Sequence, residues 1–157
     1  MITKFDPYFT FNGTCEEAFN FYKKVFGGDF THLVRYGDLP EEKSFEHISR
    51  DMRPKIRFIA LPLNGETTLM GNDNVTSTPA IIGENVKVSI ITDTKEEAER
   101  LFDSLSGGGT VKAPFKETFW GAYYGSLIDK FDINWMIEFR EEQPQHGFED
   151  NANIHIP

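Results

Sequence analysis

One phrase of the sequence occurs twice, and this duplication limits the possible folds more than any other feature. The phrase reads TCEEAFNFYKKVFGG at Thr14–Gly28 and TKEEAERLFDSLSGG at Thr94–Gly108. Each copy begins with Thr, carries Glu-Glu-Ala at the same distance from it and closes on Gly-Gly. The same offset separates their beginnings and their ends, so a fold built from two equivalent units is expected.

Each phrase predicts an amphipathic helix. A Thr followed three residues later by Glu is a capping box, so Thr14 and Thr94 are predicted to be N-caps. Apolar residues then recur at three- and four-residue spacing, and the glycines supply the left-handed conformations that end helices. The apolar stripes are Ala18, Phe21, Tyr22, Val25 and Phe26 in the first copy and Ala98, Leu101, Phe102 and Leu105 in the second.

Strand-like runs surround both helices in the same order. One run precedes each helix, another begins after each glycine pair, near Phe30 and Thr110, and two more follow in each half. The remaining runs are Pro7–Asn12, Lys55–Leu63 and Thr67–Met70 in the first half, and Val86–Thr92, Tyr123–Ile128 and Asn134–Phe139 in the second. The repeat unit is therefore β-α-β-β-β, and the predicted fold class is α+β with two such modules. Because an open module exposes strand edges and an apolar sheet face, the two modules are expected to pack together.

These patterns divide one structural domain into four segments. Residues 1–73 and 86–139 form the modules, and residues 74–85 form a linker rich in Ser, Thr, Asn, Pro and Gly. Residues 140–157 show no periodicity, so we interpret them as an arm or a disordered tail. The charged stretch Gly37–Pro54 is interpreted as a solvated loop, the alternative being a lid over a cavity.

Charge and composition exclude several classes of protein. The formal net charge of −9 repels nucleic-acid backbones and anionic membranes, so neither is an expected partner. No apolar run approaches the roughly 20 residues of a membrane span, and no secretory signal is visible, so a cytoplasmic location is expected. The single cysteine, Cys15, has no basic neighbour in sequence and is not expected to act as a nucleophile.

Three stretches of the chain resemble a known family. PYFTFNGTCEEAFNFYKKVFGG, TLMGND at Thr68–Asp73 and FWGAYYGSLIDKFDINWMIEF at Phe119–Phe139 are similar to the PhnB-like branch of the vicinal oxygen chelate superfamily. This superfamily includes glyoxalase I, bleomycin- and fosfomycin-resistance proteins and extradiol dioxygenases. The resemblance implies paired βαβββ modules whose curved mixed sheets enclose a cup, within a homodimer.

Two points set limits on what this resemblance implies. The branch usually has DKFG where this chain has Asp129-Lys130-Phe131-Asp132, so Asp132 is expected to take a left-handed turn that suits Gly better. Proteins of this branch are often labelled 3-demethylubiquinone 3-methyltransferases. The sequence does not support that activity, because it lacks a parallel βαβ pattern with a Gly-rich first turn for an adenosine cofactor.

The resemblance also implies where a metal would bind. In metal-using members, His, Gln and Glu on cup-facing strands hold a divalent ion. The corresponding positions here are Asp6, Met70, Val86 and Met136. Three of these four side chains offer no nitrogen or anionic oxygen, so no metal or other cofactor is expected.

The other candidate ligands are also unfavourable. His32, His47, His146 and His155 are scattered over a strand, the charged loop and the tail, without metal-ligand spacing. A His common in the branch is replaced here by Phe58. Glu138 shares a strand face with Met136, and it is either a displaced ligand, a catalytic base in an apolar cup, or a strand-end carboxylate that contacts water or Arg.

Alternation along the strands predicts what the cup contains. Phe9 and Phe11 are expected to pack under the helices, with Tyr8, Thr10 and Asn12 facing the cup. Asn134, Met136 and Glu138 would share the inner face of the last strand. Phe58, Met70, Phe119, Trp120 and Tyr123 are predicted to complete a mainly apolar wall.

Two classes of function fit these predictions. The first is a metal-free protein that binds a small hydrophobic or aromatic molecule. The second is an enzyme of the glyoxalase or dioxygenase type, acting through a metal or through Glu138 as a base. The binding protein is favoured, because the chemistry of the superfamily depends on a metal and the ligands for it are missing from the implied positions.

Overall fold

The computed structural model describes residues 1–40 and 48–141. Within these two ranges, eight strands and two helices follow the predicted order. The first half contains β1 (Tyr8–Phe11), α1 (Cys15–Phe26), β2 (His32–Arg35), β3 (Ile56–Pro62) and β4 (Thr68–Asp73). The second half contains β5 (Val88–Thr92), α2 (Lys95–Ser106), β6 (Thr110–Glu117), β7 (Ala122–Ile128) and β8 (Asn134–Arg140). Short 3-10 turns lie at Tyr36–Asp38 and Arg50–Met52.

The strands form two four-stranded mixed sheets with the same topology. The first sheet has the order β1-β4-β3-β2, and the second has the order β5-β8-β7-β6. In each sheet the first strand of the module pairs in parallel with the last, and the other pairs are antiparallel. The α+β duplication read from the sequence is therefore confirmed, and neither sheet closes into a barrel.

Both helices pack on one side of the two sheets and share a single hydrophobic core. Phe9 contacts Tyr22 of α1 and Trp135 of β8, with ring centroids 6.1 and 5.9 Å apart. Phe26 of α1 also packs against Trp135. Because α1 contacts both sheets, the core joins the two modules into one unit.

Within residues 1–40 and 48–141, no helix packs on the opposite side of either sheet. Strand alternation and register place two sets of side chains there. The open face of the first sheet consists of Tyr8, Thr10, His32, Val34, Phe58, Ala60, Pro62, Thr68, Met70 and Asn72. The open face of the second sheet includes Ser89, Ile91, Lys116, Tyr124, Ser126, Ile128, Asn134, Met136 and Glu138.

Thr14 and Thr94 are the N-cap residues, as predicted, but only Thr94 makes the predicted capping bond. Thr94 accepts a hydrogen bond from the Glu97 amide, as the capping box predicts. Thr14 makes no such bond. The buried carboxylate of Asp73 takes its place and accepts from the amides of Gly13 and Cys15, at 3.0 and 2.9 Å. An acceptor from another strand therefore replaces the local one, and sequence spacing does not reveal such a partner.

Asp132, which stands where the family usually has Gly, adopts the expected left-handed turn. Asp132 has a φ of 69°, in the left-handed region, and its amide donates to the Asp129 carbonyl to close the turn between β7 and β8.

The linker between the modules forms hydrogen bonds with both sheets. The Asn12 side chain donates to the Ala80 carbonyl and accepts from the Ala80 amide. The side-chain amide of Asn134 donates to the Gly83 carbonyl.

Some sequence predictions concern residues outside the described ranges. These are most of the tail, with His146 and His155, and the central part of the charged stretch, with His47. The interpretation of Gly37–Pro54 as a loop or a lid therefore remains a prediction.

Candidate functional site

The open face of the first sheet brings together four of the predicted site residues. Tyr8 and Thr10 extend from β1, Met70 from β4 and Phe58 from β3. The rings of Tyr8 and Phe58 stack with centroids 6.4 Å apart. The Thr10 hydroxyl donates to the Asn72 side chain at 2.9 Å. This face therefore offers an aromatic and thioether surface with a few polar groups, and Tyr8 remains 48% exposed.

The open face of the second sheet contains Met136 and Glu138. Glu138 is buried and pairs with the guanidinium of Arg140 on the same strand. Hydrogen bonding to Glu138 raises the pKa of Arg140. This ion pair agrees with the third interpretation of Glu138, in which it is a strand-end carboxylate that contacts an Arg.

Three other predicted wall residues lie elsewhere. Tyr123 lies on the helix side of the second sheet, where its ring packs against Phe115 and lies under the Lys95 ammonium group of α2. Its neighbour Tyr124, opposite Glu138, faces the open side instead. Phe119 and Trp120 lie in the turn between β6 and β7, 95% and 44% exposed, and their rings pack on each other.

A groove of about 300 Å³ lies where the two sheets meet. Tyr8 and Thr10 line it from the first sheet, and Val88 and Asn134 line it from the second. Ile82 of the linker forms another wall. The volume is at the lower end of the range for small-molecule sites, and the groove continues the open face of the first sheet at β1.

The positions implied for a metal do not converge on a coordination site. Asp6 accepts a hydrogen bond from the Thr68 amide and pairs with Lys4 before β1 begins. Val86 is exposed and precedes β5. Among the described residues, no three His, Cys, Asp or Glu side chains are grouped closely enough to hold a metal ion. The donor set of this part of the chain does not fit a divalent cation.

Asp129, the first residue of the DKF motif within Phe119–Phe139, has a structural role. The buried carboxylate of Asp129 accepts hydrogen bonds from the Tyr22 hydroxyl at 2.6 Å and from the Trp135 indole at 2.8 Å. It also accepts from the amides of Phe131 and Ile133. Burial, together with the charge of Asp129, raises the pKa of Tyr22. Through the hydrogen bond from Tyr22, Asp129 therefore connects α1 to the turn between β7 and β8.

Sequence reasoning did not identify two residues of the first open face as site residues. His32 packs its ring edge-on against Phe58, with centroids 5.7 Å apart. Arg57 lies beside Phe58 at a bulge, and its guanidinium acts electrostatically on Tyr8. Strand alternation could have placed His32, but a bulge cannot be read from alternation.

Residues 4–139 match the family described as the Glyoxalase/Bleomycin resistance protein/Dioxygenase superfamily. The chain belongs to this superfamily. It is 28% identical over 144 residues to Protein YjdN of Escherichia coli (strain K12), a match that covers 88% of this chain and 96% of that protein.

Solved structures with the same fold include a protein from Pseudomonas aeruginosa and a PhnB protein. Protein PA1353 from Pseudomonas aeruginosa is 35% identical, with a TM-score of 0.77 over 88% of this chain and 98% of that one. A PhnB protein from Bacillus cereus, described as a putative 3-demethylubiquinone-9 3-methyltransferase, has a TM-score of 0.70 at 22% identity. It covers 87% of this chain and 99% of its own, and at this identity it supports the superfamily fold alone.

No helix in the described part of this superfamily member is long and apolar enough to cross a membrane.

Proposed function

We propose that the protein binds a small hydrophobic or aromatic molecule on its open sheet faces without a metal. The observation that carries this proposal is the stacked pair Tyr8 and Phe58 on a sheet face that no helix of the described residues covers. Exposed aromatic side chains that are held in register by a sheet provide a preformed surface for a flat ligand. The groove at the junction of the two sheets extends this surface.

The enzymatic alternative receives less support. It requires either a metal or a free carboxylate base, and Glu138 is held by Arg140. Chemistry through an adenosine cofactor also has little support, because each described sheet contains one parallel strand pair and no doubly wound nucleotide site.

Isothermal titration calorimetry with a panel of neutral aromatic molecules tests the proposal, because it measures the affinity of each molecule for the protein. Phe58→Ala should weaken binding at least severalfold, because it removes half of the stacked pair. Phe5→Ala is the matched control, since Phe5 is exposed and lies before β1. Equal affinities of both variants and the unaltered protein would place any binding elsewhere.

A separate measurement tests the metal-free part of the proposal. After dialysis, titration with Zn²⁺, Mn²⁺, Ni²⁺ and Fe²⁺ should show no stoichiometric high-affinity site. One equivalent bound with sub-micromolar affinity and lost in Glu138→Ala would make a metal-dependent enzyme the better conclusion.

A further inference from the structure

The bulge in the first sheet determines the direction of one cationic side chain. Along β2 and β3, Val34 lies opposite Phe58 and Arg35 lies opposite Ile56, so Arg57 is the extra residue. Ile56 packs in the core and Arg35 pairs with Glu16 of α1, so both lie on the helix side. A bulge places two consecutive residues opposite one and re-aims a side chain. Arg57 is thereby brought to the same side as Phe58.

Other observations agree with this placement. Arg57 is exposed, as a residue of the open face should be. Burial raises the pKa of Tyr8, and the charge of Arg57 counteracts part of this rise. The guanidinium therefore acts on a residue of the open face. The Arg57 side chain makes no ion pair or hydrogen bond with any other described residue.

The charges around Arg57 are not balanced by acids on the same face. The open face of the first sheet contains no Asp or Glu among its described residues. On the second open face, Glu138 is neutralised by Arg140, and Lys116 lies opposite Tyr124. Asp132 lines the neighbouring groove, but it does not belong to the open face of the first sheet. Arg57 therefore favours an anion on the open face of the first sheet, although the net charge of the molecule favours cations.

We propose that the ligand is an aromatic anion, whose ring packs on Tyr8 and Phe58 while its carboxylate or similar acidic group binds the Arg57 guanidinium. This inference rests on the proposed function and names the class of ligand. Arg suits the role because its planar guanidinium can bind a carboxylate through two parallel hydrogen bonds. His32 closes the aromatic surface at the far side of Phe58.

Three probes of equal ring size test the inference by calorimetry: 2-naphthoate, 2-naphthylmethanol and 2-naphthylmethylamine. The naphthoate should bind roughly tenfold more tightly than the alcohol, as expected for one hydrogen-bonded charge, and the amine should bind most weakly. Arg57→Gln should abolish this preference and leave binding of the alcohol unchanged. Arg57→Lys should keep part of the preference.

Lys24→Gln is the matched control. Lys24 is exposed on α1, so this change alters the net charge as much as Arg57→Gln does and leaves the open face intact. It should preserve the preference for naphthoate. Equal binding of all three probes, tighter binding of the amine, or an unchanged preference in Arg57→Gln would overturn the inference.

The same titrations separate this inference from the proposed function. In one outcome, the alcohol and the naphthoate bind with equal affinity, and Phe58→Ala weakens both. This outcome would support the proposed function and reject the inference that the ligand is an anion. Failure of all three probes to bind would count against both.

Discussion

Single residues with buried polar atoms hold the ends of the elements in place. Asp73 accepts a third hydrogen bond, from the Ile56 amide at 2.9 Å, in addition to its two bonds at the start of α1. One carboxylate therefore satisfies three amide donors from two parts of the first module. Its loss would leave these donors without an acceptor, and each unsatisfied buried donor costs about 1–3 kcal/mol.

The difference between the two caps leads to the first prediction. Thr94→Ala should lower the free energy of unfolding by about 1 kcal/mol, because it removes a cap bond. Thr14→Ala should have a clearly smaller effect, since its hydroxyl makes no cap bond. Asp73→Ala should cost more than either. Urea denaturation curves of the three variants measure these differences, and equal losses for the two Thr variants would contradict the assignment of Asp73 as the cap.

Two buried acids predict how stability depends on pH. Burial raises the pKa of the Cys15 thiol above its ordinary value of 9.0, and burial likewise raises that of Tyr22 above 10.0. The folded protein keeps these protons when the unfolded chain loses them. Their stabilising contribution is therefore complete below about pH 9 and falls as the pH rises above it, by up to ~1.4 kcal/mol per pH unit for each group.

Cys15→Ala isolates the thiol contribution. The variant should show a smaller fall in the free energy of unfolding between pH 9 and pH 10 than the unaltered protein. The comparison concerns slopes, so any constant loss from the truncation does not affect it. Urea titrations at a series of pH values provide the measurement, and identical slopes would show that the thiol does not contribute.

At the scale of elements, the sequence predicted the strands, helices and their order correctly, because hydrophobic periodicity and Gly-Gly stops are local signals. The inward positions of Phe9 and Phe11 and the outward positions of Tyr8 and Thr10 were also predicted from alternation. Tyr123 was misplaced and Arg57 was missed, because register in β7 and a bulge in β3 depend on pairing with neighbouring strands. The contact between Tyr22 and Asp129 was likewise invisible, since it joins distant parts of the chain.

The turn between β7 and β8 provides a prediction for an element. Asp132 adopts a left-handed conformation that Gly adopts without a side-chain clash. Asp132→Gly should raise the free energy of unfolding by about 0.5 kcal/mol, a gain limited by the greater freedom of Gly in the unfolded chain. Asp132→Ala should lower the free energy of unfolding, because Ala lacks the polar side chain that helps Asp tolerate a left-handed conformation. Thermal unfolding of both variants would reveal the sign, and destabilisation by Gly would contradict this account.

At the scale of the whole molecule, helices cover one side of the two sheets, and no described element covers the other side. Ile91 is 66% exposed on the open face of the second sheet, which is a large exposure for an apolar strand residue. An uncovered sheet face of this kind can be buried by a second copy of the chain. We therefore expect a homodimer formed through the open face of the second sheet. The resemblance to the superfamily also implies a homodimer.

Light scattering at micromolar concentration tests this expectation. The unaltered protein should have twice the 18.0 kDa mass of the chain. Ile91→Lys should shift it toward the monomer, because it places a charge in the apolar contact. Val111→Lys is the control, since Val111 is 45% exposed but lies opposite Leu127, on the helix side. A dimer that survives Ile91→Lys would place the interface elsewhere.

The core shared by the two modules also determines how the chain could be cut. Tyr22 and Phe26 of the first half pack on Trp135 of the second, so neither half contains a complete core. A proteolytic nick in the exposed part of the linker, near Ile81, would leave these contacts intact. The two fragments should then remain associated without a peptide bond between them. Separately produced halves should gain structure only when mixed, so the protein is suited to fragment complementation.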